Sequence, residues 1–261
     1  MRRASNLMNN NRPGGAAVAR ALATACLLAL FSVCLASCGG GGGGGGGQSK
    51  VYDEAEGAGG AAVKRGVKPE PDAEAAVLEV ESNGVSYGRI VIELYPNVAP
   101  QMVERFKRLV REGFYTGTAF HRINPQSGVV QGGDPNSRDD DPANDGLGDS
   151  PYPNVPAEFS DIPFDTGTVG AARQGARPAV GGSPALSEAE AANTANCQFY
   201  ITLRRTPQWD AQYTVFGKVI EGMSNAQVIA GAPTRPAPYN ENPADKIVIK
   251  SATLRPRADF K

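Results

Sequence analysis

The chain has 261 residues, with 26 Lys and Arg against 27 Asp and Glu, 32 Gly and 20 Pro. That length leaves room for one domain of ordinary size with attached segments, and the glycines and prolines point to many turns. Arg2, Arg3, Arg12 and Arg20 all precede Cys38 and no acidic residue does, so the remainder carries 22 basic against 27 acidic residues, a charge of −5. Such a balance gives no electrostatic reason to bind nucleic acid.

Residues 1–37 read as a targeting segment. The arginines precede an apolar run from Ala21 to Leu35, shorter than the roughly 20 residues that span a bilayer as a helix. Leu35, Ala36, Ser37 and Cys38 resemble a bacterial lipobox, which implies cleavage before Cys38 and its lipidation. A plain signal peptide or an uncleaved anchor is the alternative. Cys26 and Cys34 would leave with the signal, so Cys197 remains alone in an apolar stretch. It reads as a small buried residue, and no second ligand cluster suggests a metal.

Residues 38–74 contain nine consecutive glycines, Gly39 to Gly47, and then Gly, Ala, Glu and Lys with almost no large apolar residue. This composition predicts a flexible tether, and about 35 such residues reach roughly 30 Å.

The folded domain is expected over residues 75–257, with 258–261 as a C-terminal tail. Ala76, Leu78 and Val80, then Tyr87, Arg89, Val91 and Glu93, alternate through two strands joined at Asn83 and Gly84. Val103, Phe106, Leu109 and Val110 recur at helical spacing after Pro100, and Gly113 is a stop signal. That spacing turns Arg105, Lys107 and Arg111 outward as a solvated face. Phe120 to Asp134 then places Arg122 and Gln131 on two short β segments joined by a turn. Further strands are expected at Val169, Phe199 to Leu203, Thr214 to Val219 and Lys246 to Leu254, with a short helix over Ser224 to Ala230. Short strands with two helices far apart predict a mainly β protein, a closed antiparallel barrel capped by two α-helices.

The segments Gly88 to Tyr95, the Pro100 helix, Phe120 to Arg122, Gln131 to Asp134, Pro156 to Phe159, Gly167 to Arg173, Gln198 to Ile201 and Val215 to Val219 occur in an order and spacing that resemble the cyclophilins, the peptidyl-prolyl cis/trans isomerases. The resemblance covers roughly residues 75 to 255 and is nearest to the bacterial members. It implies an eight-stranded barrel, proline-containing polypeptides as partners, no cofactor and no metal.

The chemistry fits these residue types. A peptide bond rotates against a barrier of about 18–20 kcal/mol because resonance stiffens its C–N bond. Lowering that barrier at proline needs no nucleophile or proton transfer. It needs a donor that favours a pyramidal prolyl nitrogen, and a pocket that holds the ring. Arginine stays charged and presents several N–H groups from a rigid plane. By resemblance Arg122 is the donor, and Gln131 orients it or binds the substrate backbone. A hydrogen bond to a charged group contributes roughly 1.5–3 kcal/mol, whereas a rate gain near 10⁵ requires about 7 kcal/mol. Arg122 alone is therefore insufficient, and an apolar surface must supply the rest.

The resemblance also implies substrate contacts at Tyr200, Val129, Ala172, Arg173, Gln198, Trp209, Tyr213, Phe120 and His121. Tyr200 stands where phenylalanine is usual, Gly128 replaces another phenylalanine, and Gln208 replaces a tryptophan. Strand alternation sets His121 on the face opposite Arg122, which makes it structural rather than an acid/base group. The acidic stretch Arg138 to Asp149 reads as a solvated loop rather than a calcium loop. Gln174 to Asn196 reads as an insertion bordering the cleft, with one helical turn over Ser187 to Ala192.

The expectation is a monomeric isomerase that assists folding of envelope or secreted proteins. It would be anchored through lipid on Cys38, in the bacterial outer membrane facing the periplasm. A weakly catalytic binding module on the same barrel, and a structural envelope lipoprotein, are the competing readings.

Overall fold

The structure is a computed structural model that describes residues 52, 53 and 57–261. The expected signal segment, Cys38 and the glycine run lie outside the described residues.

In chain order the elements are β1 (Tyr52–Asp53), β2 (Val63–Lys64), β3 (Glu74–Ser82), β4 (Val85–Leu94), α1 (Pro100–Arg111), β5 (Arg122–Asn124), β6 (Val129–Gly132), β7 (Phe159–Ser160), β8 (Thr168–Ala171), α2 (Glu188–Ala192), β9 (Phe199–Thr202), β10 (Val215–Glu221), α3 (Met223–Ala230) and β11 (Val248–Pro256). Eight strands form one antiparallel sheet in the order β11–β3–β4–β10–β8–β9–β6–β5, and β1, β2 and β7 form a small second sheet.

The large sheet curls but does not close, which corrects the closed barrel expected from the sequence. Among the described residues no ladder joins its edge strands. β5 is only three residues long, and the chain before it meets β11 through an isolated bridge between Ala119 and Val248. The β3–β4 hairpin turns at Asn83 and Gly84, both at positive φ (50° and 76°), as a two-residue hairpin loop of matching twist requires.

Alternation divides the sheet into two faces. Val130, Val169, Phe199, Ile201 and Phe216 point into the main core, where Met102, Phe106 and Leu109 of α1 meet them. Val129, Tyr200 and Val215 belong instead to a second apolar cluster on the opposite face. At the start of α1, Ala99 gives no side-chain cap, and the Glu158 carboxylate accepts from the free N–H groups of Gln101 (3.1 Å) and Met102 (2.9 Å). An anion there satisfies unpaired donors and the helix dipole together.

Residues 57–74, expected as part of the tether, are packed on the domain. Ala58 and Val63 are buried with Phe159 and Ala192, and Lys64 Nζ donates to the Val98 carbonyl at 2.6 Å. Lys107, expected on a solvated face, is only 12% exposed and pairs with Asp72 at 2.8 Å and Glu74 at 3.0 Å. Two small apolar contacts and the ion pairs of Asp72 and Glu74 hold this stretch, a pattern too sparse for hydrophobic periodicity to register. The C-terminal residues also differ from a free tail, because Phe260 is buried against Ala75, Val77 and Val91.

Candidate active site

The site is a row across the outer face of the curled sheet. Register pairs Arg122 on β5 with Gln131 on β6, Gln131 with Tyr200 on β9, and Tyr200 with Gly170 on β8. Directly paired residues project to the same face, so guanidinium, amide and aromatic ring lie side by side.

At one end of the row, Arg122 is 40% exposed and lines a cavity of about 460 Å³ with Gln131, Arg173, Gly146 and Glu241. Its Nη1 donates to Gln131 Oε1 at 3.3 Å. The amide chain continues from Gln131 Nε2 to Gln198 Oε1 (3.0 Å) and from Gln198 Nε2 to the Gly148 carbonyl (2.9 Å). This connected network fixes Gln131 from both ends. A second cavity of about 590 Å³ opens beyond Gln131, lined by Ala172, Arg173, Gln198, Leu147, Asp149 and Arg177 among others. The insertion borders it, as expected, and carries an exposed hairpin with bridges Arg177–Leu186 and Val180–Ser183.

At the other end is a packed aromatic cluster. Tyr200 stacks on Phe164 with centroids 5.8 Å apart, and Trp209 (5.2 Å) and Tyr213 (5.8 Å) meet its ring edge-to-face. Val129 is buried beside them. The Tyr200 hydroxyl is buried and has no hydrogen-bond partner among the described residues, and burial holds its pKa well above the ordinary phenol value. Arg173 lies over the Tyr213 ring at 4.7 Å, and its Nη2 pairs with Glu188 at 2.6 Å. Its charge is therefore neutralised beside the aromatic cluster. At Gly128, where a wall residue is missing, an added methyl would come within 2.8 Å of the Arg204 side chain, so the stem of Arg204 fills that space.

Of two further expected contacts, one lies in the core and the other only lines the cavity wall. Phe120 is fully buried and meets Phe199 edge-to-face at 6.1 Å in the main core, which corrects its assignment to the substrate surface. Phe120 and Ile123 both face the main core, so strict alternation fails between them and Phe120 does not share the face of Arg122. His121 is 4% exposed, with neither ring nitrogen partnered among the described residues. Burial pushes its pKa down to about 4, so it is neutral at pH 7 and forms part of the wall of the Arg122 cavity. Burial likewise pushes the Cys197 thiol up to about 12, which leaves it without thiolate character.

The acidic stretch is tied down rather than freely solvated. Asp134 accepts from the backbone N–H groups of Asn136 and Gly146, and Asn242 donates to Asp145 at 3.0 Å. Phe164, Arg204 and Glu241 complete the site without any motif in the sequence to announce them. Glu241 accepts from Arg122 Nε at 2.5 Å across 119 residues of chain.

An open, curled antiparallel sheet with arginine, glutamine and an aromatic cluster on one row defines a cyclophilin-type domain. The family described as "Cyclophilin type peptidyl-prolyl cis-trans isomerase/CLD" matches residues 77–254. A probable peptidyl-prolyl cis-trans isomerase of Brucella suis is 40% identical over 165 residues, 62% of this chain and 76% of that protein. The isomerase ppi1 of Schizosaccharomyces pombe is 38% identical over 141 residues, 53% of this chain and 77% of that protein. Among solved structures, a Cryptosporidium parvum cyclophilin type isomerase superposes with a TM-score of 0.55 at 26% identity, covering 70% of this chain and 98% of that one. The same isomerase in the presence of the dipeptide Ala-Pro gives 0.54 at 24% identity, covering 69% and 98%. This chain belongs to the cyclophilin-type peptidyl-prolyl cis-trans isomerase family. It is an enzyme that interconverts the cis and trans forms of the peptide bond preceding proline.

Proposed function

We propose that a substrate proline rests against Tyr200, Val129, Trp209 and Tyr213 while Arg122 donates toward the prolyl nitrogen. The twisted amide loses its resonance, and its nitrogen gains the lone pair that a cation-borne N–H can meet. That interaction is absent in either planar ground state, so it lowers the barrier rather than tightening binding uniformly. Gln131 holds the guanidinium from one side and presents its amide to the substrate backbone. The observation that carries this reading is the single cross-strand row Arg122–Gln131–Tyr200.

In this proposal the monomeric enzyme accelerates folding of envelope or secreted polypeptides from a lipid anchor on Cys38, at the outer membrane facing the periplasm. The support is the lipobox-like sequence Leu35 to Cys38 and the glycine run after it. Cys38→Ser would move the protein from the membrane to the soluble fraction. Retention of that variant in the membrane would reject the anchor.

Trp209 is the only tryptophan, which gives the substrate position its own test. Titration with an Ala-Pro-containing peptide should change its fluorescence, and the change should disappear in Tyr200→Ala. A peptide that is turned over without altering Trp209 emission would place the proline elsewhere.

A further inference from the structure

We propose that Glu241 is a positioning residue for the isomerisation, fixing the Arg122 guanidinium through its Nε edge. The proposal rests on Arg122 as the donor and adds the device that keeps it in place.

Glu241 grips β5 at successive residues. One carboxylate oxygen accepts from Arg122 Nε at 2.5 Å, the other accepts from Asn124 Nδ2, and its backbone carbonyl accepts from the Ile123 N–H at 2.7 Å. Asn124 is itself fixed, because its Oδ1 accepts from the Ser127 N–H at 2.7 Å and closes the β5–β6 turn. The loop that carries Glu241 is cross-braced by Arg235 N to Asn242 O (2.9 Å), Asn242 N to Tyr239 O (2.9 Å) and Ala244 N to Pro233 O (2.8 Å). A carboxylate restrained in this way is a fixed abutment.

The geometry separates positioning from blockade. Glu241 takes Nε and Gln131 takes Nη1, while Nη2 has no hydrogen-bond partner among the described residues. Arg122 stays 40% exposed beside Glu241 at 38%, so the pair does not seal the cavity. A long arginine side chain without such restraint spreads over many rotamers. Catalytic donors need their supporting groups to hold them near the productive geometry.

The test compares the wild-type chain with Glu241→Ala, Glu241→Gln, Arg122→Ala and the double variant Glu241→Ala/Arg122→Ala. It measures kcat and KM on a proline tetrapeptide, and the melting temperature of each protein. Glu241→Ala should lower kcat about tenfold with KM nearly unchanged. Glu241→Gln keeps one acceptor oxygen and should recover part of that loss. In the Arg122→Ala background, removing Glu241 should cost nothing more, because the group it positions is gone. The same fractional loss in both backgrounds would overturn the proposal, as would a wild-type or raised kcat in Glu241→Ala. If Arg122→Ala itself kept the wild-type rate, the donor assignment would fail and this proposal with it. Loss in Arg122→Ala alone would remove only Glu241 from the mechanism.

Discussion

Gly170 on β8 and Tyr200 on β9 stand opposite each other in register, and the missing side chain of one makes room for the ring of the other. A methyl group on Gly170 would lie 2.5 Å from the Tyr200 hydroxyl oxygen and 2.9 Å from Phe164. Gly170→Ala should therefore displace the Tyr200 ring within its aromatic cluster. The expected destabilisation is about 1–3 kcal/mol, as for other overpacked sites, together with a lower kcat/KM. Denaturant unfolding and a peptide assay check both, and an unchanged protein would contradict the packing.

The Tyr200 hydroxyl carries the opposite expectation. It is buried without a partner among the described residues, and an unsatisfied buried polar group costs about 1–3 kcal/mol. Tyr200→Phe keeps the ring, so it should raise stability by about 1 kcal/mol and preserve turnover. A stability loss in denaturant unfolding would mean that the hydroxyl is satisfied.

The segment ahead of β3 contributes to the fold through Lys107. A chain shortened to begin at Ala75 loses both Asp72 and Glu74 and leaves the 12%-exposed Lys107 without those ion-pair partners. It should unfold about 1–3 kcal/mol more readily than a chain beginning at Gly57. Burial works to raise the Asp72 pKa, but hydrogen bonding and charge from Lys107 outweigh it and leave the group below its ordinary value. The Lys107 hydrogen bond is the leading cause of the same shift at Glu74. Depressed carboxylates stabilise the fold above their unfolded pKa and lose that contribution as pH falls through the folded value. The difference between the two chains should shrink below about pH 4, as thermal melts would read.

Asp145 and His121 line the same cavity and respond to pH in opposite senses. Burial, then the charge of Asp134, pushes Asp145 up to about 6. The folded state holds that proton more tightly than the unfolded chain, so this contribution falls as pH rises toward about 6. His121, pushed down to about 4 by burial, stays neutral when folded and protonates first when unfolded, so its contribution falls as pH drops from about 6.5 toward 4. Asp145→Asn keeps the oxygen that accepts from Asn242 and removes the charge. It should stabilise the protein by roughly 1 kcal/mol at pH 8, with solvent screening allowed for, and match the wild type near pH 4. Equal melting temperatures at pH 8 would contradict the burial of that carboxylate.

Local signals made part of this architecture legible in the sequence. Asn83 and Gly84 mark a turn only certain backbones can make, and Pro100 with Val103, Phe106 and Leu109 defines a helix by its period. The sequence order around Arg122, Gln131 and Tyr200 placed the site by resemblance, and the register then sets those side chains on one face. What was not legible depends on distant partners. Whether the sheet closes is decided by β5 and β11, more than a hundred residues apart. Phe120 faces the core together with Ile123, a break in alternation ahead of β5 that the sequence does not announce. Residues 57–74 look like tether because only two small apolar residues, Ala58 and Val63, are buried, and ion pairs of Asp72 and Glu74 with Lys107 fasten its end. Glu241 belongs to no motif and meets Arg122 only in the fold.

The most direct test of the account is the rate of cis/trans exchange in a proline peptide for the wild-type domain, Arg122→Ala and Arg122→Lys at matched melting temperatures. Loss of one charge-assisted hydrogen bond from the twisted state predicts a kcat/KM roughly 10- to 100-fold lower in Arg122→Ala, with KM little changed. Arg122→Lys should recover only part of it, because an ammonium cannot engage Glu241, Gln131 and the prolyl nitrogen from one rigid plane. Equal kcat/KM for Arg122→Ala and the wild type would contradict the role assigned to the guanidinium.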